Sequence, residues 1–150
     1  MTKTLNLAIA ADHAGFEFKE RIKDILKEQG HEVHDYGTNS GESVDYPDYV
    51  HPLAANIGKG KYDFGILLCG SANGVAMTAN KHQHVRAAIA WHEDVATLAR
   101  RHNNANIVCL PARLLSLEEC TACLAAFLST PFEGGRHGRR VDKIACLTEA

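Results

Sequence analysis

The stretch Phe64-Gly-Ile-Leu-Leu-Cys-Gly-Ser-Ala-Asn-Gly-Val-Ala-Met-Thr-Ala-Asn-Lys81 decides the fold. Phe64 to Leu68 is a short apolar run of the kind a strand buried on both faces requires, and the residues after Gly74 suit a helix. Between them, Cys69 to Gly74 is a turn of small residues. Such a turn, leading from a parallel strand into a helix, aims backbone N–H groups outward at the positive end of the helix dipole, which is where anions bind. Cys69 stands at the first position of the turn, and the same dipole favours its thiolate. The stretch reads as a place for chemistry on an anionic substrate or intermediate.

Outward from it the chain alternates. Leu5 to Ala11 reads as a strand, Asp12-His13-Ala14-Gly15 as the turn that ends it, and Phe16 to Gln29 as an amphipathic helix stopped by Gly30. His31 to Tyr36 reads as a second, shorter strand, and Gly37 to Val44 as a polar loop. A helix is expected from Tyr49 to Ile57, with Pro52 admissible only in its first turn. Val85 to Trp91 and Ile107 to Leu110 read as the fourth and fifth strands, separated by a helix from His92 to His102. Ser116 with Glu119 is a capping-box signature ahead of a helix from Leu117 to Leu128. After the glycine- and arginine-bearing stretch Phe132 to Arg140, a last helical pattern runs from Val141 to Leu147.

Five short strands alternating with helices predict a Rossmann-like three-layer α/β/α sandwich with a five-stranded parallel sheet, one domain over residues 1–150. Right-handed crossovers gather the strand C-termini on one edge, so Asp12 and His13 should meet the turn from Cys69 to Gly74 there.

Composition excludes several function classes. A chain of 150 residues, 45% apolar and 23% charged, is an ordinary globular domain able to bury a core without staples. A formal charge of −2 offers no general attraction to nucleic acid or an acidic membrane, and nothing aromatic interleaves the C-terminal arginines, so neither partner is expected. No apolar run approaches a membrane span, and the first residues lack the core of a signal peptide. Five cysteines, an odd number without framework spacing, suit a reducing compartment, so a cytoplasmic protein is expected. Gly70-Ser-Ala-Asn-Gly74 is neither a P-loop nor a dinucleotide fingerprint, and no His-x-x-x-His pair marks the crevice turns.

Among the candidates, Cys69 is either a core thiol or a reactive one, and its place at the strand end beside Gly70 favours the second. Cys120 and Cys123 formally match C-x-x-C but lie inside an apolar helix and read as structural. Asp12 and His13 are a helix cap with a surface histidine, or a functional pair beside the central turn. His102-Asn103-Asn104 closes a helix, and His102 is the natural acid or base at neutral pH. Arg136 and Arg140, spaced i, i+4 after two glycines, suit a fork of guanidinium donors around a phosphate, and Arg113 after the fifth strand is able to join them.

The motifs Asp12-His13-Ala14-Gly15, Asp45-Tyr46-Pro47, Cys69-Gly-Ser-Ala-Asn-Gly74 with Ala79-Asn-Lys81, Arg101-His-Asn103 and Glu133-Gly-Gly-Arg-His137 follow in that order over nearly the whole chain. Together they resemble the ribose-5-phosphate isomerase B family, which also contains the galactose-6-phosphate isomerase subunits. The resemblance implies interconversion of ribose 5-phosphate and ribulose 5-phosphate, a step of the pentose phosphate pathway, without cofactor or metal. It implies that Cys69 moves the proton between C2 and C1 and that His102 is the acid of ring opening. Asp12, His13 and Asn103 would hold sugar hydroxyls. Gly70, Ser71, Ala72, Asn73 and Gly74 would bind the enediolate, and Arg113, Arg136 and Arg140 the phosphate.

It further implies a homodimer or tetramer with sites at the subunit interface, the C-terminal helix packing on a partner subunit, and Tyr46 and the arginines among the residues that reach across. Two departures stand out. Val75 occupies the position where one branch of the family carries a glutamate base, and Ala72 stands where the loop usually has glycine. A left-handed conformation at Ala72 would cost on the order of 1 to 2 kcal/mol. A six-carbon sugar phosphate (allose or galactose 6-phosphate), or a non-catalytic sugar-phosphate sensor on the same fold, are the alternatives.

Overall fold

The computed structural model describes residues 3–146. Five strands, β1 (Asn6–Ala11), β2 (Glu32–Asp35), β3 (Phe64–Cys69), β4 (Ala87–Ile89) and β5 (Ile107–Pro111), form one parallel sheet in the order β2-β1-β3-β5-β4. The helices α1 (Phe16–Glu28), α2 (Tyr46–Gly58), α3 (Asn73–Ala79), α4 (Glu93–Arg101), α5 (Leu117–Ser129) and α6 (Arg136–Asp142) complete an α/β fold.

The two-residue period of the strands divides the core. Leu7, Ile9, Ile66, Leu68, Val108 and Leu110 face a layer made by Ile22 and Leu26 of α1, Ala96 and Ala99 of α4, and Leu124 and Phe127 of α5. Ala8, Ala10, Leu67, Cys69, Ile107 and Cys109 face the other layer, with Leu53 and Ile57 of α2 and Val75 and Ala79 of α3. Burial pushes the Cys109 thiol up, with Cys69 adding to the effect, and pushes Cys120 up to about 12, so both stay protonated core groups. Cys123 is raised for the same reason, and the C-x-x-C pair is part of the α5 packing face.

Several boundaries move, each for a physical reason. α2 starts three residues earlier than expected, with Pro47 in its first turn, and Pro52 therefore lies inside the helix. The missing Pro52 N–H is tolerated because Val50, Leu53, Ala54 and Ile57 bury one continuous face on the sheet. β4 shrinks to three residues, as an edge strand paired only with β5. The C-terminal helix covers 136–142 rather than 141–147, so the arginine stretch is helical rather than a loop. Gly134 and Gly135, at φ 74° and 57°, make the left-handed turn that launches it. Leu147 lies outside the described residues. The capping box is as expected, with Ser116 Oγ accepting from Glu119 N–H and the Glu119 carboxylate accepting from Ser116 N–H.

Because the strands run one way and the helices return, the turns after β1, β3 and β5 lie at one edge of the sheet and the ends of α4 and α5 at the other. Arg100 knits that second edge. Its guanidinium lies 4.8 Å from the Phe64 ring centroid and donates to Thr130 O (3.2 Å), Asn104 Oδ1 (2.9 Å) and Ala105 O (2.7 Å).

Candidate active site

The edge formed by the strand C-termini holds the first group of candidates. Ala112 N–H donates to Cys69 O at 2.9 Å and Arg113 N–H to Gly70 O at 3.0 Å, so the turns after β3 and β5 are locked together. Gly70 is pinched: a Cβ there would stand 3.3 Å from Arg113 Cδ and 3.8 Å from Ala14 Cβ. Asp12 N–H donates to Leu68 O at 3.3 Å, and Asp12 Oδ1 accepts from Ala14 N–H at 2.9 Å and Gly15 N–H at 3.2 Å. The carboxylate thus caps the turn into α1 through one oxygen, and among the described residues the other accepts no hydrogen bond. His13 Nδ1 accepts from Val44 N–H at 3.2 Å, which assigns the neutral ring's proton to Nε2. Asp12, His13, Val44, Asp45, Tyr46, Pro47 and Asp48 line an open cleft of about 510 Å³.

Cys69 departs from expectation. It is the last residue of β3 rather than the first of the turn, and strand alternation turns its side chain toward the α2 and α3 layer, where it is 5% exposed. It sits at the margin of that core, two positions past Leu67, whose β5 partner Cys109 is fully buried. The turn also starts the helix earlier than expected. Ala72 caps α3 at φ 68° and ψ −3°, fully buried and in the left-handed region, so the cost expected of alanine there is real. Asn73 N–H donates to Ser71 Oγ at 3.2 Å, leaving that hydroxyl's proton free to donate elsewhere. The amides of Gly74 and Val75 lie in the first turn of α3 and have no acceptor within the helix. The Tyr46 phenol fills the space a Cβ on Gly74 would need, so Tyr46 covers the loop of its own chain.

The second group lies at the opposite edge. His102 is the C-cap of α4, with its N–H on Leu98 O at 2.9 Å, and Asn103 follows it, exposed. Asn106 O accepts from Gly65 N–H at 2.9 Å, which fixes this segment beside the start of β3. Cys69 lies four positions along the strand from Gly65, about 13 Å at ~3.3 Å per residue. Arg136 and Arg140 are exposed on α6, tethered to this edge by Glu133 N–H donating to Arg101 O at 3.0 Å. Arg113 therefore does not join them within one chain: it stands at the Cys69 edge.

Two residues at this edge stand in the motif Glu133-Gly-Gly-Arg-His137 but have no role assigned from the sequence. The His137 ring is buried and stacks on His102, centroids 4.1 Å apart and planes 12° from parallel. Glu133 Oε1 lies 3.2 Å from His137 Nε2, off the line of a hydrogen bond, and among the described residues that nitrogen has no other protein partner. Glu133 precedes the Gly134-Gly135 turn and lies outside α6, so no helical spacing in the sequence pairs it with His137. Donor atoms of His102, Glu133 and His137 lie within 4.8 Å of one another. The lone pairs of parallel imidazoles run side by side, however, and do not converge as a tetrahedral ion requires. The arrangement is a stacked imidazole pair with a carboxylate beside it.

The sequence profile described as Ribose/Galactose Isomerase matches residues 7–144. The chain belongs to this isomerase family. A probable ribose-5-phosphate isomerase B of Mycoplasma genitalium is 43% identical over 143 residues, 94% of each chain. The ribose-5-phosphate isomerase B of Escherichia coli is 38% identical, covering 95% of this chain and 96% of its own. Among solved structures, a ribose 5-phosphate isomerase of Thermotoga maritima superposes with a TM-score of 0.93 at 50% identity, covering 95% of this chain and 99% of its own. The Mycoplasma genitalium enzyme, solved with bound ribulose-5-phosphate, superposes with a TM-score of 0.90 at 43% identity over 93% of both chains. In this member of the isomerase family, no helix among the described residues is long and apolar enough to cross a membrane.

Proposed function

We propose that this protein is an aldose–ketose isomerase interconverting ribose 5-phosphate and ribulose 5-phosphate in the cytoplasm. The observation that carries the reading is the locked edge on which Cys69, the loop to Gly74, Asp12 and Arg113 stand side by side. Cys69 as thiolate takes the proton from C2 of the open-chain aldose, the C–H electron pair forms the C1=C2 bond, and the carbonyl pair moves onto O1. Returning the proton to C1 while the O2 proton passes to O1 yields the ketose. The loop amides and the Ser71 hydroxyl meet the enediolate oxygens, and losing one such donor typically costs about 3 to 4 kcal/mol.

Ring opening needs a second proton transfer, for which we assign His102 as acid. C2 and the ring oxygen of a furanose are two bonds apart, whereas Cys69 and His102 of one chain occupy opposite ends of the sheet. The reading therefore requires a composite site: Asp12, His13, Tyr46, Cys69 to Gly74 and Arg113 from one copy, with His102, Asn103, Arg136 and Arg140 from a second. Supporting this, Met77, Leu114 and Ile144 are 67%, 71% and 55% exposed, large apolar side chains without cover in the isolated chain. A two-fold dimer is the smallest closed assembly that completes two such sites, with the C-terminal helix α6 at the contact.

Proton NMR of ribose 5-phosphate with the purified protein in D2O, chelator present, tests the activity. Ribulose 5-phosphate labelled at C1 is expected, and Cys69→Ala should abolish both turnover and label. Turnover by the Cys69→Ala protein would remove the base assignment, and binding without label would identify a sensor. Allose and galactose 6-phosphates in parallel rank the six-carbon alternatives, since one hydroxymethyl group shifts fit by only about 1 to 3 kcal/mol.

A further inference from the structure

We propose that His137, held by Glu133, is a positioning residue for His102. The inference rests on the assignment of His102 as the ring-opening acid and adds residues that assignment does not contain. His102 closes α4, where only its backbone N–H is bonded, to Leu98 O at 2.9 Å. Among the described residues no protein hydrogen bond reaches either nitrogen of its ring. What orients the ring is a face: His137 lies 12° from parallel at 4.1 Å between centroids. A half-buried imidazole with free nitrogens at the end of a helix has rotamer freedom to lose, and an acid must hold its proton within about 2.6 to 3.2 Å of the ring oxygen. The stack removes that freedom while leaving both nitrogens open to substrate.

His137 in turn is confined by burial and by the carboxylate beside it. It points inward from α6, 7% exposed, while Arg136 and Arg140 of the same helix face outward. Glu133 Oε1 stands 3.2 Å from its Nε2, and Glu133 is itself anchored by its N–H on Arg101 O at 3.0 Å, one residue before His102. Among the described residues the buried Nε2 has no hydrogen-bond partner, and the Glu133 carboxylate is the charged group in contact with it. Glu133, His137 and His102 thus form a chain from carboxylate to stack to acid, closed on itself through the Arg101 carbonyl. It explains why an otherwise solvent-facing glutamate sits four residues before a buried histidine.

The chemistry supplies a readout that separates positioning of His102 from general damage. Ribose 5-phosphate must be opened before C2 is acidic. Ribulose 5-phosphate carries its phosphate on the only hydroxyl that would close a five-membered ring on its carbonyl, so it is always open. Exchange of its C1 proton with solvent therefore uses Cys69 and the loop but not the ring-opening acid. In His137→Ala, turnover of ribose 5-phosphate is expected to fall at least about tenfold, part of the ~10²- to 10⁴-fold a proton-transfer group supplies, with exchange into ribulose 5-phosphate kept within about twofold. His137→Phe keeps a flat ring over His102 and should restore turnover to within about threefold of the parent, and Glu133→Gln should lower turnover in the parent but not in the His137→Phe background.

Equal loss of turnover and exchange in both His137 variants would overturn the proposal, because the residue would then serve α6 and its arginines. No loss in His137→Ala, or no rescue by phenylalanine, would overturn it as well. His102→Ala is the control for the underlying assignment. If that variant opens ribose 5-phosphate at the parent rate, the assignment of the acid fails, whatever His137 does.

Discussion

Mixing two inactive variants tests the composite site directly. Cys69 pairs with Pro111 at one end of the sheet, and Gly65 pairs with Ile107 at the other, where Gly65 N–H bonds the Asn106 carbonyl that follows His102 and Asn103. The intervening run of strand, about 13 Å, exceeds anything a single pentose can bridge between C2 and its ring oxygen. Cys69→Ala homodimers lack the base in both sites, and His102→Ala homodimers lack the acid in both. In a heterodimer with shared sites, one site collects both substitutions and the other collects neither. Random one-to-one mixing makes half the dimers hetero, so about one quarter of all sites become fully native.

The parent variants set the background. Loss of a general acid removes about 10²- to 10⁴-fold, so recovery of a quarter of native turnover stands well above a residual of about 1%. The assay is ribose 5-phosphate turnover after joint refolding of differently tagged chains, with tandem affinity purification to confirm heterodimers, which alone should show about half of native activity. Purified heterodimers that stay inactive would refute the reasoning, since they are the outcome if each chain builds its own whole site.

The remaining predictions concern the scaffold of the two edges. Ala72→Gly should change stability by less than about 1 kcal/mol in chemical denaturation, because relief of ~1 to 2 kcal/mol of left-handed strain is offset by a lost buried methyl and by unfolded-chain entropy; Ala72→Val at φ 68° should cost more than about 2 kcal/mol. Gly15→Ala places a Cβ 2.7 Å from Leu68 Cβ and 2.8 Å from its carbonyl oxygen, backbone that has no room to give, so it should cost roughly 1 to 3 kcal/mol and raise KM by moving Asp12. Gly74→Ala meets only the far end of the Tyr46 side chain, so the thermal midpoint should hold while KM rises; an unchanged KM would remove Tyr46 from the site.

Asp35→Asn leaves the fully buried Lys19 with Glu20 as its one remaining acid, and should cost about 3 kcal/mol. Burial pushes the Asp35 carboxyl up, but hydrogen bonds from Lys19 and Lys23 and from the Gly37 amide outweigh it and hold the group below its ordinary value. Its contribution is therefore whole above about pH 4 and lost as pH falls through the lowered value, so the acid limb of the stability profile should flatten in Asp35→Asn.

What was legible divides by range along the chain. The β3 to α3 unit carries its own signals within eighteen residues, an apolar run, a small-residue turn and a helix, and the structure places it at the centre of the sheet. α6 carries none: Arg136-His-Gly-Arg-Arg140 has no apolar period, and the helix exists because Gly134 and Gly135 turn the chain and His137 and Val141 face inward. The side chain of Cys69 was misjudged by one residue of strand length, which in a period of two reverses the face.

The position of His102 relative to Cys69, by contrast, was already implicit in the order of elements. In an alternating parallel fold, residues that follow a strand lie at one edge and residues that follow a helix lie at the other. Asp12, Cys69 and Arg113 follow strands; His102 and Asn103 follow α4, and Arg136 follows the chain that leaves α5. Candidates that must act on neighbouring atoms, yet alternate in that way, specify a shared site before any coordinate is known. What the sequence alone could not reveal was the contact between residues 102 and 137, because stacking across thirty-five residues depends on how α6 folds back under α4 and leaves no local pattern.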